Sequence, residues 1–146
     1  MKLTERVFVF TENKALNYKG DLRSQLQRAA LSVANNVAEG FERGTTQELI
    51  TFLYIARGSA GEVRSMLCLC ERLPAFRNLK SEISDLKFQA ESISRQLRAW
   101  ADSLQNTDIK GHRYLTDKSR TIDDQKKRAE AFLEKLKSVQ RKDRPA

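Results

Sequence analysis

A single histidine and two cysteines leave this chain short of the side chains that most catalytic and metal centres use. Cys68 and Cys70 lie two positions apart in a helical pattern, where side chains do not face each other, so no disulfide forms between them. One histidine, His112, is too few for a conventional zinc site and sits in a polar linker where a surface role is the default. The thiols read as buried or half-buried groups in a reducing compartment. Two prolines and six glycines exclude both a low-complexity chain and an all-β one. No apolar run approaches the roughly 18–20 residues that a membrane span needs. The start, MKLTERVFVFTENK, is too short in its apolar part for a signal peptide and carries Glu5 inside it, so the expected location is cytoplasmic.

What is present is charge and helical periodicity. Of the 146 residues, 40% are hydrophobic and 32% charged, the balance of a soluble protein rich in exposed helix. The net charge of +8 is unevenly placed. Residues 1–109 hold 15 Lys/Arg against 13 Asp/Glu, and residues 110–146 hold 12 against 6. Such a tail favours polyanions, chiefly nucleic acid.

Five apolar stripes step by three and four. Leu3, Val7 and Phe10 predict a short first helix over residues 2–14. Leu22, Leu26, Ala29/Ala30, Val33 and Val37 predict a second, from Leu22 to Phe41, with Asp21 as its N-cap. Gly40 and Gly44 are expected to bracket the turn that follows. Thr45 and Glu48 have the spacing of a capping box and open a third helix that ends near Pro74. Its interior glycines, Gly58 and Gly61, each cost about 1 kcal/mol relative to alanine, which suggests a close helix approach, with the Ala29/Ala30 patch as candidate partner. Leu79, Ile83, Leu86, Ala90, Ile93, Leu97, Trp100 and Leu104 form an unbroken heptad seam, with Asn78 as candidate cap and Trp100 in a core or an interface. A fifth, thinner helix is expected over about residues 121–140. The domain reading is therefore a helical body over residues 1–109 and a basic, partly helical extension over 110–146.

Polar residues interrupt the second and third stripes. Ser32, Asn36 and Glu39 on one could meet Ser59 and Glu62 on the other. A catalytic reading needs a nucleophile beside a base, or a carboxylate pair such as Glu39 and Glu62 holding water or metal. Without a partner histidine or more oxygen ligands, the favoured reading is a hydrogen-bonded network that fixes helix register or closes a subunit interface. No cofactor, catalytic residue or metal ligand is assigned. Candidate nucleic-acid contacts on the body are Arg23, Arg28, Arg43, Arg57 and Arg64, weighed against solvated helix faces with Glu42, Glu62 and Glu71 as partners. In the tail they are Lys110, Arg113, Lys118, Arg120, Lys126, Lys127, Arg128, Lys135, Lys137 and Arg141, weighed against an amphipathic helix that docks on a protein. With Tyr114 and Phe132 its sole aromatics, the tail would bind through phosphates rather than by base stacking.

The runs SQLQRAALSVANNVAEGFERG and QELITFLYIARGSAGE resemble the four-helix-bundle proteins encoded in intervening sequences of bacterial large-subunit ribosomal RNA genes. That family shows R-A-A-x-S-I-P-x-N-I-A-E-G, matched by Arg28, Ala29, Ala30, Ser32, Asn36, Ala38, Glu39 and Gly40. It also shows E-F-x-x-F-L-x-x-A-x-G-S-x-x-E, matched by Glu48, Phe52, Leu53, Ala56, Gly58, Ser59 and Glu62. The likeness is close over residues 24–67 and loose over 3–105. Ala34 stands where the family has proline, the first helix starts two or more turns late, and the tail is longer than the family's. The resemblance implies an all-α fold, an antiparallel up-and-down four-helix bundle, to which the periodicity of the tail adds an extra C-terminal basic helix that the resemblance does not cover. It further implies a homopentamer without established enzymatic activity. A related bundle is the accessory subunit of reverse transcriptases in diversity-generating retroelements. The expected partners are thus a second copy, RNA or DNA, and a protein such as a reverse transcriptase, with no membrane. The alternative is an oligomeric interaction scaffold whose basic tail binds an acidic protein.

Overall fold

The computed structural model describes residues 1–17, 20–106, 121, 125 and 127–135. It divides into two compact units, Met1–Gly111 and His112–Ala146. The described residues are helical, with short 3-10 turns and no strand. The first unit holds α1 (Lys2–Thr11), α2 (Gly20–Glu42), α3 (Thr46–Arg72) and α4 (Lys80–Gln105). In the second, residues 127–135 are helical and exposed. No helix among the described residues is long and apolar enough to cross a membrane.

Local chemistry sets the boundaries, and several differ from the sequence expectation. α1 stops at Thr11 instead of running to residue 14. The Thr11 hydroxyl donates to the Phe8 carbonyl at 2.7 Å, and the Asn13 side chain then accepts from the Ala15 amide at 3.0 Å. That cap starts a separate 3-10 turn, Lys14–Leu16, which buries Leu16. α2 begins at Gly20, so Asp21 is not its N-cap but lies in the first turn, where a carboxylate still favours the positive end of the helix dipole. Thr45 caps α3 as expected, accepting from the Glu48 amide at 3.2 Å and donating to the Glu48 carboxylate at 2.7 Å. α3 gives way at Leu73, which turns extended before Pro74. Asn78 is not a cap either. It sits in a 3-10 turn, Pro74–Leu79, that feeds into α4 and leaves Leu79 at the cap position without a side-chain bond.

The apolar stripes meet in two clusters. Leu3, Val7, Phe10, Leu26, Leu67, Phe76, Ile83 and Leu86 fill one end, with Phe10 stacked on Phe76 at 6.2 Å. Val33, Leu49, Leu53, Ala56, Leu97 and Ala101 fill the other, with Trp100 half-buried against it. Side-chain pairings fix which helix meets which. Ser32 meets Ser59 and Gly40 meets Phe52 between α2 and α3. Lys87 reaches Glu71, Arg64 reaches Glu91 and Gln105 reaches Tyr54 between α4 and α3. Thr4 donates to the Ala30 carbonyl, and Arg6 reaches Gln89 and Asp85. α1 therefore packs on both α2 and α4. Cys70 is buried and Cys68 half-buried, and both are free thiols. Burial pushes the Cys70 thiol up to about 11 from an ordinary value of 9.0.

The glycines reverse the sequence expectation. Gly40 is not a turn residue. It is buried inside α2, and a Cβ there would meet the Phe52 Cβ at 2.7 Å and the Leu49 Cδ1 at 3.2 Å. The close approach expected at Gly58 and Gly61 is absent, since a Cβ at either would meet nothing within 4 Å. The turn after α2 spans residues 43–45 and contains Gly44 alone of the two predicted glycines.

Candidate functional site

Where α2 and α3 pack, their polar residues meet at one level. The Ser32 and Ser59 hydroxyls lie 2.9 Å apart. The Asn36 amide donates to the Ser32 carbonyl at 2.8 Å and to its hydroxyl at 2.9 Å, and Ser59 is within 3.2 Å of the Ile55 carbonyl. Ser59 is buried and the other two half-buried, so each finds a partner where water is largely excluded. Glu39 and Glu62 do not join this cluster. Glu39 binds Arg43 one turn on, and Glu62 is exposed. In the observed register Glu62 lies level with Ala29, so about ten residues, or roughly 15 Å of helix, separate it from Glu39 along the axis. The two carboxylates cannot share a water or a metal. Among the described residues no group of three or more His, Cys, Asp or Glu is placed to hold a metal ion.

Beside the serines the surface opens into a cleft of about 610 Å³ between α2 and α3. Gln25, Arg28 and Ser32 line one wall, with Glu62, Ser65 and Met66 opposite. Gln25 and Ser65 were not singled out by sequence, although each extends a polar stripe at three- and four-residue spacing, through Gln25, Arg28, Ser32 and Asn36 and through Ser59, Glu62 and Ser65. Arg28 brings a guanidinium, Gln25 an amide and Ser65 a hydroxyl, donors suited to phosphate oxygens, while Glu62 opposes an anion.

The body arginines divide by what they touch. Arg43 pairs with Glu39 and lies over the Phe52 ring, 5.1 Å from its centroid. The Glu39 hydrogen bond raises its pKa further above the usual arginine value. Arg64 pairs with Glu91 of α4. Neither uses the glutamates suggested by sequence, and Glu71 instead accepts from Lys87 at 2.7 Å. That hydrogen bond holds the Glu71 carboxyl below its ordinary range and the Lys87 ammonium above its own. Arg28 is exposed, and Arg23 and Arg57 are half-buried. None of the three has an ion pair among the described residues. In the second unit Lys127, Arg128 and Lys135 are exposed on the 127–135 helix. Lys110, Arg113, Lys118, Arg120, Lys126, Lys137 and Arg141 lie outside the described residues.

Against known families, the chain matches the model described as 23S rRNA-intervening sequence protein over residues 1–99. The chain belongs to this family. The match to the 23S rRNA-intervening sequence protein family includes the polar cluster, the cleft and the body arginines, and ends before the basic tail. Comparison with curated proteins and with solved structures gives no significant match. The Ser32–Asn36–Ser59 cluster and the neighbouring cleft lie within the matched residues.

Proposed function

We propose that this protein is a non-enzymatic helical bundle that assembles with copies of itself and binds nucleic acid through basic surfaces. In this reading α1 to α4 form an antiparallel up-and-down four-helix bundle, as the pairings of Ser32 with Ser59, Glu71 with Lys87 and Thr4 with Ala30 support. The observation that carries the function is the placement of cations. Arg28 stands exposed at the cleft without an ion pair among the described residues, and 12 Lys/Arg against 6 Asp/Glu follow in residues 110–146. Cations not matched by fold-internal carboxylates are available to phosphates, and their gain in binding comes from released counterions. A role beside an RNA- or DNA-processing enzyme, such as a reverse transcriptase, follows as the corresponding partner. The polar cluster then acts as a register pin for the assembly, a homopentamer in the cytoplasm.

The test is a titration with structured RNA, single-stranded DNA and duplex DNA at several salt concentrations, with light scattering to fix assembly size. Binding should weaken steeply with salt, and residues 1–111 alone should bind less tightly than the full chain. Removing Arg28 should lower the salt slope by about 0.9 for a duplex phosphate contact. No binding to any nucleic acid at low salt would leave the scaffold reading, in which the basic tail meets an acidic protein. Asn36→Leu should change assembly size, and an unchanged assembly would remove the register-pin role.

A further inference from the structure

The cleft between α2 and α3 carries four exposed polar side chains, Gln25 and Arg28 on the α2 wall and Glu62 and Ser65 on the α3 wall. None of them makes a side-chain hydrogen bond or ion pair with another described residue. Glu39, Glu48, Glu71 and Glu91 each meet a donor of the fold, from Arg43, Thr45, Lys87 and Arg64. Glu62 does not, although the Arg28 guanidinium stands on the opposite wall at nearly the same level. Buried Ala29 and half-buried Met66 give the cleft an apolar lining.

An ionised carboxylate only accepts hydrogen bonds, and a guanidinium only donates them. A bare anion would satisfy Arg28 and be opposed by Glu62. The complementary occupant has an anionic end for one wall and a pair of adjacent donors for the other. Ser65 follows Glu62 by three residues, about 4.5 Å along the helix axis, so the α3 wall offers two acceptor oxygens beside a hydroxyl. The Watson–Crick edge of guanine is the complement of that row, with N2–H and N1–H donors followed by the O6 acceptor. Adenine, cytosine and uracil each place an acceptor beside their donor, which would face the second carboxylate oxygen. At about 610 Å³ the cleft falls within the range of about 300–1,000 Å³ common for small-ligand sites.

We propose that the α2–α3 cleft is the seat of one unpaired guanine nucleotide. Glu62 accepts from N1–H and N2–H, Ser65 donates to O6, and Arg28 pairs with the phosphate. Gln25, one turn before Arg28 on the same wall, donates to the phosphate or the sugar, and Met66 packs against the base. A guanine inside a duplex has this edge covered by cytosine, so the seat takes unpaired strands or the free nucleotide. The proposal rests on the nucleic-acid reading above and adds a base preference to it.

The probes are uridine strands of about eight residues with G, inosine, A, C or U at the centre, titrated against the full chain at low salt. The G strand should bind roughly tenfold or more tighter than the A, C and U strands, with inosine, which lacks the N2 amino group, in between. Glu62→Gln, at an exposed position, should bring the G strand to the level of the others and leave those unchanged. Arg28→Ala should weaken every strand and lower each salt slope by about 0.7. Guanosine monophosphate should displace the labelled G strand where adenosine monophosphate does not. Displacement at the strand's own affinity makes the free nucleotide the ligand, and much weaker displacement makes it the strand. If all strands bind equally, or if Glu62→Gln keeps the preference, the guanine seat is overturned while nucleic-acid binding stands. If no strand and no nucleotide binds, both fall. A peptide rich in arginine, whose guanidinium also matches Glu62, completes the test. If that peptide alone is sensitive to Glu62→Gln, the cleft belongs to a protein and the proposal is overturned.

Discussion

Replacing glycine by alanine at two positions of this protein should act with opposite sign. At Gly58 a Cβ meets nothing within 4 Å, so Gly58→Ala removes backbone freedom from the unfolded chain and stabilises the helix by about 1 kcal/mol. At Gly40 the same gain is overridden. The new Cβ would sit 2.7 Å from the Phe52 Cβ, an atom one bond from its backbone and unable to swing aside. α2 and α3 must then move apart, at a cost of about 1–3 kcal/mol for an overpacked contact. The net effect is a loss of about 1 kcal/mol, and the two variants should differ by about 2 kcal/mol. For a chain of this size each kcal/mol moves the melting temperature by roughly 2–4 °C. Urea unfolding followed by circular dichroism at constant m-value measures the difference directly. Light scattering on the same samples separates folding from assembly. If Gly40→Ala proved as stable as Gly58→Ala, the tight α2–α3 crossing would be wrong.

Three further outcomes test the site and the core. A double-mutant cycle on Ser32→Ala and Ser59→Ala should give a coupling of about 0.5–1.5 kcal/mol, and additivity would mean that the hydroxyls do not pair. At pH 8 an alkylating reagent should modify Cys68 well before Cys70, and equal rates would contradict the burial of Cys70. Because the folded Cys70 thiol titrates at about 11 rather than 9.0, its contribution to stability is complete below pH 9 and is lost as pH rises towards 11. Melts across that window should fall more for the native chain than for Cys70→Ala, and parallel curves would refute the shift.

The basic tail marks the boundary of what these residues support by pattern alone. Its charge and its thin apolar stripe are explicit in sequence, and Phe132 and Leu133 are exposed on the 127–135 helix. Composition specifies its excess of positive charge, 12 Lys/Arg against 6 Asp/Glu over residues 110–146, and the long-range field of that charge needs no fixed geometry.

Helical class and most of the core were legible from sequence because the three- and four-residue period states which side of each helix avoids water. Leu3, Val7, Phe10, Leu26, Val33, Ile83, Leu86 and Leu97 are all buried on the predicted faces. The Thr45 cap was legible because its partner is three residues away. What sequence could not decide were relations between helices. Glu39 and Glu62 looked like a pair, yet the register set by Ser32 and Ser59 holds them far apart along the axis. Gly40 looked like a turn and Gly58 like a contact, and the crossing of α2 on α3 reversed both. Periodicity fixes the direction of a side chain about its own helix, but the height at which two helices meet is set by packing across the core.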